Sequence, residues 1–208
     1  SFFGYQVERL FRDADDVSKS PAQTDAAPGR FKYKDVNGDG QITPDDRTFI
    51  GNPNPKFTYG LNLSLTFKNF DLAGIFYGSQ GNDVLNMTRY YTDFYSTSNG
   101  GLAKSNVVKD AWTPQNLNAK VPLREFSGSF SSNGSFNSYY KENGSFLKMR
   151  SLIIGYTVSP GVLRNFRISN LRVYLQSANL FTITKYSGLD PELGGLLSGS
   201  QSSSAFGV

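Results

Sequence analysis

Residues 56–67 read KFTYGLNLSLTF and alternate between apolar and polar side chains more cleanly than any other segment of the chain. Because a β-strand repeats every two residues, this alternation predicts a strand with one apolar face and one small, polar face. The apolar face would carry Phe57, Tyr59, Leu61, Leu63, Leu65 and Phe67. A tilted strand needs about 9–11 residues to cross a bilayer, and this segment is long enough to do so.

A second strand follows almost at once. Lys68-Asn69 interrupts the alternation, which then resumes in residues 70–80. Two residues that include Asn suit the tight turn of a hairpin. Residues 57–80 are therefore predicted to form a β-hairpin.

A second hairpin is predicted over residues 145–182. Its first strand changes phase after Arg150, and a β-bulge near Ser151 would explain the shift. Residues 159–170 form the connection, which begins with Pro160-Gly161. On both strands, cations or amides alternate with aliphatic side chains, so one face is again apolar.

Between the hairpins, residues 81–144 are polar, rich in Ser, Asn and Gly, and without a sustained period. A compact soluble domain rarely contains so long an irregular segment. Outer-membrane barrels do, because their periplasmic turns are short and their extracellular loops are long. We therefore predict an all-β fold that is part of a transmembrane antiparallel β-barrel. Its extracellular loops would be residues 12–30, 81–144 and 183–208, and its periplasmic turns Lys68-Asn69 and residues 159–170.

The N-terminal part is predicted to contain two further extended segments. Phe2 to Phe11 is interpreted as one strand, and Phe31 to Lys34 as a short strand-like run. The chain starts at Ser1 without Met or a signal peptide and stops in a Gly/Ser-rich stretch, a pattern typical of a portion of a longer protein.

The amino-acid composition limits the classes of function that the chain can have. The 208 residues include no Cys and no His, which removes disulfides, thiolate chemistry and the commonest general base and transition-metal ligand. Paired carboxylates such as Asp15-Asp16 lie in predicted loops, so no shared catalytic cleft is indicated. We do not expect an enzyme.

Charge does not indicate nucleic-acid binding either. The net charge is +4, but the 21 Lys and Arg residues are scattered along the chain. No apolar run approaches the roughly 20 residues of a membrane helix. A membrane role therefore requires a barrel.

Residues 35–46, DVNGDGQITPDD, match the pattern of a calcium-binding loop. Ca²⁺ needs six to eight oxygen ligands, which alternating Asp and Asn side chains on a tight loop supply. The ligands would be the side chains of Asp35, Asn37, Asp39 and Asp46 and the backbone carbonyl of Gln41. The last position is Asp where Glu is usual, and neither flank resembles an EF-hand helix. The alternative is an Asx-rich turn whose carboxylates accept hydrogen bonds from loop amides.

Aromatic residues are concentrated in and near the long loop. They could contact a substrate or partner by stacking, or they could be interfacial girdles or loop cores. The candidate contact residues are Tyr90, Tyr91, Tyr95, Trp112, Tyr139 and Tyr140. Lys148, Arg150 and Arg172 are predicted to face a barrel lumen, where such residues either guide an anionic substrate or only hydrate the wall.

Ordered sequence blocks along nearly the whole chain resemble the SusC/RagA family of TonB-linked outer-membrane transporters. The blocks are FKYKDVNGDG at 31–40, DDR at 45–47, IGNPNP at 50–55, FTYG at 57–60, GSQGND at 78–83, WTP at 112–114, NGSFLKMR at 143–150, ISNLRVY at 168–174, NLF at 179–181 and YSGLDPE at 186–192.

The resemblance implies the C-terminal part of a 22-stranded outer-membrane barrel. It also implies a SusD-like surface lipoprotein as partner, energy from TonB, and import of glycans or peptides, typically in Bacteroidetes. The plug domain, the TonB box and the final strand would lie outside residues 1–208. The rival hypothesis is a soluble, calcium-stabilised β-sandwich that binds carbohydrate. The apolar face of residues 56–67 discriminates between them, because it meets lipid in a barrel and a second sheet in a sandwich.

Overall fold

The computed structural model describes residues 1–94, 105–164 and 168–192, which form two compact units. The sheet unit comprises Asn54–Asn82 and Asn143–Tyr186. The loop unit comprises the described residues of Ser1–Pro53, Asp83–Glu142 and Ser187–Val208. Each helix within the described ranges is too short or too polar to span a membrane.

Most regular structure is extended, which confirms the predicted all-β class. The strands are β1 (Phe2–Gly4), β2 (Val7–Leu10), β3 (Phe31–Tyr33), β4 (Thr48–Gly51), β5 (Phe57–Phe67), β6 (Phe70–Gln80), β7 (Asp83–Leu85), β8 (Lys141–Asn143), β9 (Phe146–Thr157), β10 (Arg172–Ala178) and β11 (Thr182–Thr184). The α-helices are α1 (Ala14–Ser18), α2 (Thr88–Thr92) and α3 (Pro160–Leu163), and short 3-10 helices cover Pro44–Asp46, Asn106–Asp110 and Ser138–Tyr140.

The sheet unit is an antiparallel sheet in the order β10, β9, β6, β5, with β11 also paired to β9. β5 and β6 pair without interruption from Phe57 opposite Gln80 to Phe67 opposite Phe70. Lys68, in the two-residue turn between them, has a φ of 54°. A left-handed residue in so short a turn matches the twist of the two strands.

β9 contains the bulge that the phase shift in its sequence predicts. Ile75 of β6 pairs with Ser151, but the next residue, Phe76, pairs with Met149. Arg150 is therefore an extra residue on β9. The prediction of a bulge next to Ser151 is confirmed, and its effect is to place Met149 on the same face as Leu152 and Ile154.

The outer partner of β9 is interrupted at the same level. β10 pairs with β9 from Arg172 opposite Thr157 to Ala178 opposite Ser151, and β11 then continues the pairing as far as Thr184. Asn179, between β10 and β11, has a φ of 51° and donates its N–H to the carbonyl of Arg150 at 3.1 Å. The extended structure therefore continues past residue 182, where the sequence predicts the hairpin to end.

The register places most apolar side chains of β5, β6, β9 and β10 on one face, whereas Ile75 and Ile153 lie on the other. Leu65, Leu72, Ile154 and Leu175 follow one another across β5, β6, β9 and β10. This face is open to solvent in the structure: Leu61 is 58% exposed, Leu65 55% and Leu175 72%. The β-sandwich hypothesis requires a second sheet over this face. Within the described residues, no such sheet covers it.

The N-terminal segment differs from its prediction as one strand. It forms β1, which pairs with β4, and β2, which pairs with β3. Tyr5, between them, is buried and stacks on Tyr33 with ring centroids 5.1 Å apart. The Tyr5 N–H donates to the carbonyl of Phe136 at 3.0 Å, so a neighbouring segment takes up the hydrogen bond that a continuous strand would have used.

The predicted outer loop at 81–144 is not simply irregular. Its described residues and the N-terminal segment together build a hydrophobic core, whose buried members are Tyr5, Leu10, Phe31, Tyr33, Ile42, Leu85, Phe94 and Tyr140. The helices and strands that contribute to it are three or four residues long, too short to show a period in the sequence.

Asp46 anchors the Asp-rich loop to the loop unit. Its carboxylate is shielded from solvent and accepts hydrogen bonds from the backbone N–H of Val36 at 2.8 Å and of Thr43 at 2.7 Å. Burial by itself raises the pKa of this carboxyl, but the backbone hydrogen bonds from Thr43 and Val36 outweigh it and hold the pKa below its ordinary value.

An ion pair crosses the polar face of the sheet. Arg172 on β10 reaches over β9 to Asp71 on β6, with Nε–Oδ1 and Nη2–Oδ2 distances of 3.0 and 2.5 Å. Gly155 lies beneath it: a Cβ there would lie 2.4 Å from Asp71 Oδ1 and 2.6 Å from Arg172 Nη2. A glycine at this position therefore leaves room for the ion pair.

We expect Gly155→Ala to displace the Asp71–Arg172 pair and to lower the temperature at which the full-length protein loses its folded, heat-modifiable form. Gly60→Ala is the matched control, because its Cβ would be 3.7 Å from the nearest atom, the Phe76 carbonyl oxygen. The measurement is the heat-dependent shift in electrophoretic migration. Equal transition temperatures for the two variants would contradict the assigned packing.

Asp46 should make the loop unit acid-sensitive. Since its pKa is lower in the folded than in the unfolded state, its stabilisation is complete above the ordinary carboxyl pKa and is lost as pH falls below about 4. Asp46→Asn should cost about 1–2 kcal/mol of local stability and flatten this pH dependence.

Hydrogen exchange of the Val36 and Thr43 amides between pH 5 and pH 3 provides the measurement for Asp46. The exposed neighbour Asp45, changed to Asn, is the control and should retain the wild-type profile. Protection of these two amides that does not change with pH in the wild type would refute the role given to Asp46.

Candidate functional site

The apolar face of the sheet unit has aromatic residues at both ends. Phe57 and Tyr59 lie at one end, with ring centroids 6.0 Å apart. Phe67, Phe70 and Tyr156 lie at the other, where the Phe70 and Tyr156 rings are 4.8 Å apart. Aliphatic side chains predominate between them. This order is typical of a transmembrane strand, whose aromatic residues occupy the two headgroup levels.

The dimensions fit a bilayer. An antiparallel strand rises about 3.4 Å per residue, so eleven residues span about 37 Å. A tilt of about 40° reduces this to about 28 Å along the membrane normal, close to the hydrocarbon thickness. At the hairpin turn, Lys68 Nζ lies 5.4 Å from the centre of the Phe67 ring, a position suited to the boundary between lipid and water.

The opposite face is mostly polar and carries the three cations that the sequence predicts to face inward. Arg172 is paired with Asp71, as described above. Lys148 lies opposite Tyr77 in the register, and its side chain is buried. The Arg150 guanidinium lies 5.1 Å from the centre of the Tyr77 ring. The bulge therefore places Arg150 on the same face as Lys148.

The candidate contact aromatics do not form one surface. Tyr140 is buried in the core of the loop unit, whereas Tyr91 is 47% exposed. Tyr90 packs edge-on against Tyr91, with ring centroids 5.1 Å apart. The partly buried ring of Trp112 leaves room only for a glycine at position 29, where a Cβ would lie 2.6 Å away. Tyr95 is outside the described residues.

Tyr139 belongs to a polar network in the loop unit. Its hydroxyl donates to Asp93 Oδ2 at 2.8 Å, and Arg89 lies over its ring at 3.9 Å. Arg89 also pairs with Asp93 at 3.0 Å and donates to the Tyr139 carbonyl at 2.8 Å. Burial raises the pKa of the Tyr139 hydroxyl well above its ordinary value, so this group stays protonated. The network holds Tyr139 in place and leaves little of its ring free.

Sequence reasoning missed this network. Arg89 and Asp93 are four residues apart, and opposite charges at that spacing meet on one face of a helix. The helix is only five residues long, so no helical period drew attention to the pair.

The Asp-rich loop brings its predicted calcium ligands together in one turn. Asp35 accepts hydrogen bonds from the N–H groups of Gly38 and Gly40 at 2.6 and 2.8 Å. Asn37 and Asp39 each accept one from the backbone N–H two residues further on, at 3.0 and 2.8 Å. These are the hydrogen bonds of the Asx-turn alternative. A carboxylate retains further acceptor capacity when it accepts one such bond per oxygen.

The predicted ligands differ in exposure. Asn37, Asp39 and Gln41 are exposed, Asp35 is half-buried and Asp46 is buried beneath the loop. Within the part of the chain that the structure describes, no three His, Cys, Asp or Glu side chains are grouped as metal ligands. The Ca²⁺ site, which also uses Asn37 and a backbone carbonyl, stays a prediction.

Comparison with known proteins identifies relatives. The chain is similar to TonB-dependent receptor P3 of Formosa agariphila, with 31% identity over 196 residues that cover 92% of this chain and 18% of the relative. It is also similar to TonB-dependent receptor SusC of Bacteroides thetaiotaomicron, with 29% identity over 163 residues, 77% of this chain and 15% of the relative. No family model matches the chain.

Solved structures give the same result. The RagAB peptide transporter matches with a TM-score of 0.69 and 26% identity, over 92% of this chain and 20% of that one. The RagAB peptide importer in its closed-closed state matches with a TM-score of 0.67 and 27% identity. The chain thus spans about a fifth of the length of these proteins. The recognition of a SusC/RagA-type TonB-dependent receptor is confirmed: the chain is similar to such receptors over most of its length, and its two-faced antiparallel sheet matches part of the RagAB β-barrel structure.

Proposed function

We propose that the full-length protein imports large nutrients, glycans or peptides, across the outer membrane in a TonB-dependent manner. The observation that carries this proposal is the two-faced sheet. One face is apolar and open from Phe57 to Phe67, and the other carries the Asp71–Arg172 ion pair. Lipid on one side and water on the other satisfy both faces at once.

A soluble β-sandwich accounts for the same strands less well. Exposed leucines on neighbouring strands form a large apolar surface, and a soluble monomer rarely leaves such a surface uncovered. Leu61 and Leu65 on β5 and Leu175 on β10 are each more than half exposed. Contact with lipid explains this exposure without a second sheet.

The partners follow from the family. The SusC/RagA resemblance implies a SusD-like surface lipoprotein as partner, and TonB as the energy source through parts of the receptor outside residues 1–208. Residues 12–30, 81–144 and 183–208 are proposed to lie outside the cell, where such a lipoprotein and the substrate would meet them. RagAB is a peptide transporter, which makes peptides one of the two substrate classes to test here.

Catalysis is not part of the proposal. The relatives are named as receptors or transporters, and the whole sequence contains neither His nor Cys. The described carboxylates with shifted pKa values accept hydrogen bonds from backbone amides or pair with arginines.

Adjacent residues on opposite faces of β5 test the proposal. In a strain that lacks the gene, Leu63→Arg should reduce the amount of folded, heat-modifiable receptor, because an arginine on the lipid face costs about 2–4 kcal/mol near the bilayer midplane. Ser64→Arg is the matched control, because it adds the same side chain to the polar face. A receptor that tolerates both changes equally would not be a barrel in this orientation.

Uptake is the second measurement in the same strains. Fluorescent oligopeptides and oligosaccharides should enter cells that carry the wild-type gene and not the deletion strain, and collapse of the proton gradient should stop their entry. Uptake of neither class, or uptake that persists in the deletion strain, would refute the import function.

Calcium binding by the Asp-rich loop is a second proposal. Its support is the clustering of Asp35, Asn37 and Asp39 oxygens in one turn that Asp46 anchors from below. Bound Ca²⁺ would neutralise the carboxylates and stiffen the loop. The observed hydrogen bonds to loop amides are compatible with such a role, because carboxylates that bind a cation also accept them.

Calorimetric titration of the full-length protein with CaCl₂ tests this site. Extracellular calcium modules bind with a dissociation constant of about 0.1–1 mM, and we expect a value in this range. Asp39→Ala should abolish the binding heat, whereas the exposed Asp45→Ala, outside the proposed ligand set, should retain it. An absence of binding heat at millimolar Ca²⁺ would leave the loop as an Asx-rich turn.

A further inference from the structure

A cavity of about 330 Å³ lies in the loop unit between β2 and residues 117–120. Its apolar lining includes Val7, Leu10 and Leu117, and its charged lining includes Arg12 and Lys120. Leu117 and both cations are exposed, so a ligand could reach them from solvent. None of these residues belongs to the Asp-rich loop or to the polar face of the sheet.

The remaining charges that line this cavity are already balanced. Arg9 pairs with Asp16 through two hydrogen bonds, one of them from Nη2 to Oδ1 at 2.6 Å. That guanidinium holds the pKa of the Asp16 carboxyl well below its ordinary range, so the carboxyl remains charged and offsets Arg9. Glu8 lies 3.8 Å from Lys32, which offsets its charge in turn.

Arg12 and Lys120 differ from these pairs. Among residues 1–94, 105–164 and 168–192, neither side chain has an ion-pair or hydrogen-bond partner. The cavity therefore combines an aliphatic surface with two cationic side chains that have no ion-pair partner among the described residues. A ligand with a carboxylate next to an apolar group complements both features.

The aromatic lining favours a peptide over a sugar. Sugar rings bind by stacking on a free aromatic face. Tyr139 lines the cavity, but Arg89 covers its ring at 3.9 Å, and Phe31 and Phe94 pack against it with centroids 5.0 and 5.6 Å away. An aliphatic side chain of a peptide that packs against Val7 and Leu117 requires no free aromatic face.

A neighbouring cavity of about 450 Å³ shares Asn118, Ala119 and Lys120 with the first and is also lined by Asp110. The two together have room for more than one residue of an extended ligand. Asp110 makes the second cavity unfavourable for a ligand carboxylate, so the acidic residue would lie in the first cavity, which Arg12 and Lys120 line.

We propose that this pocket binds acidic peptides, with a carboxylate at Arg12 and Lys120 and a neighbouring aliphatic side chain on Val7 and Leu117. The inference rests on the proposed import function and assigns it a substrate class. A single well-placed charged hydrogen bond is worth about tenfold or more in affinity. Both cations together should therefore dominate the preference for acidic over neutral peptides.

Binding to the purified full-length receptor tests the pocket. The probes are the peptide acetyl-Ala-Leu-Glu-Leu-Ala-amide and its counterpart with Gln in place of Glu. The Arg12→Gln/Lys120→Gln double variant should bind the Glu peptide at least about tenfold more weakly and the Gln peptide unchanged. Lys34→Gln removes an exposed cation that lines neither cavity, and it should affect neither peptide.

Salt gives a test that requires no variant. Raising NaCl from 0.05 to 0.5 M should weaken binding of the Glu peptide to the wild-type receptor and leave the Gln peptide unaffected, because screening acts on the charged contact alone. Equal affinities for the two peptides, or a double variant that binds as the wild type does, would overturn the inference.

Two further outcomes separate this inference from the import function. The first outcome is that oligogalacturonate binds the wild type and loses affinity in the double variant, and that the Glu peptide does not compete with it. This outcome would assign the pocket to anionic glycans and refute the peptide. Undiminished peptide uptake by cells with the double variant would refute the pocket and leave import intact. Undiminished uptake by the deletion strain would instead refute import itself.

Discussion

The hydrogen-bonded register of four antiparallel strands determines the chemistry of the whole sheet unit. Side chains directly opposite one another lie on the same face, so one slip would move every leucine of a strand to the polar side. β5 and β6 keep their pairing from Phe57 to Phe67 without a shift. The two-residue turn at Lys68-Asn69 fixes that pairing, because so short a connection allows few alternatives.

In β9 the alternation of apolar and polar residues changes phase, and a bulge keeps Met149 before it and Leu152 after it on one face. Without the bulge at Arg150, the aliphatic residues before and after it would lie on opposite faces. The extra residue corrects the phase and turns Arg150 toward Tyr77 on the polar side. Further along β9, Gly155 allows Arg172 and Asp71 to meet across the strand. The polar face is thus held together by contacts that span three strands, which suits a wall exposed to water.

The loop unit depends on tertiary packing, because its segments are too short to be stable alone. Tyr5, Phe31 and Tyr140 come from distant parts of the sequence and pack into one core. A core of this kind gives long loops a defined shape, which a binding surface requires. The pocket at Arg12 and Lys120 depends on it, because β2 and residues 117–120 are brought together only by the packing of the loop unit.

The sequence by itself determined the strands at 57–80, the bulge in β9 and the Asp-rich loop, because each depends on residues close together in the chain. It did not reveal the break at Tyr5, the core built from residues 81–144, or the burial of Tyr140, since those depend on contacts between residues far apart. The Arg89–Asp93–Tyr139 network and the pairing state of each cation were likewise decided only by the tertiary structure. Local periodicity is encoded by neighbours, whereas burial and charge compensation are set by whichever distant segment folds against them.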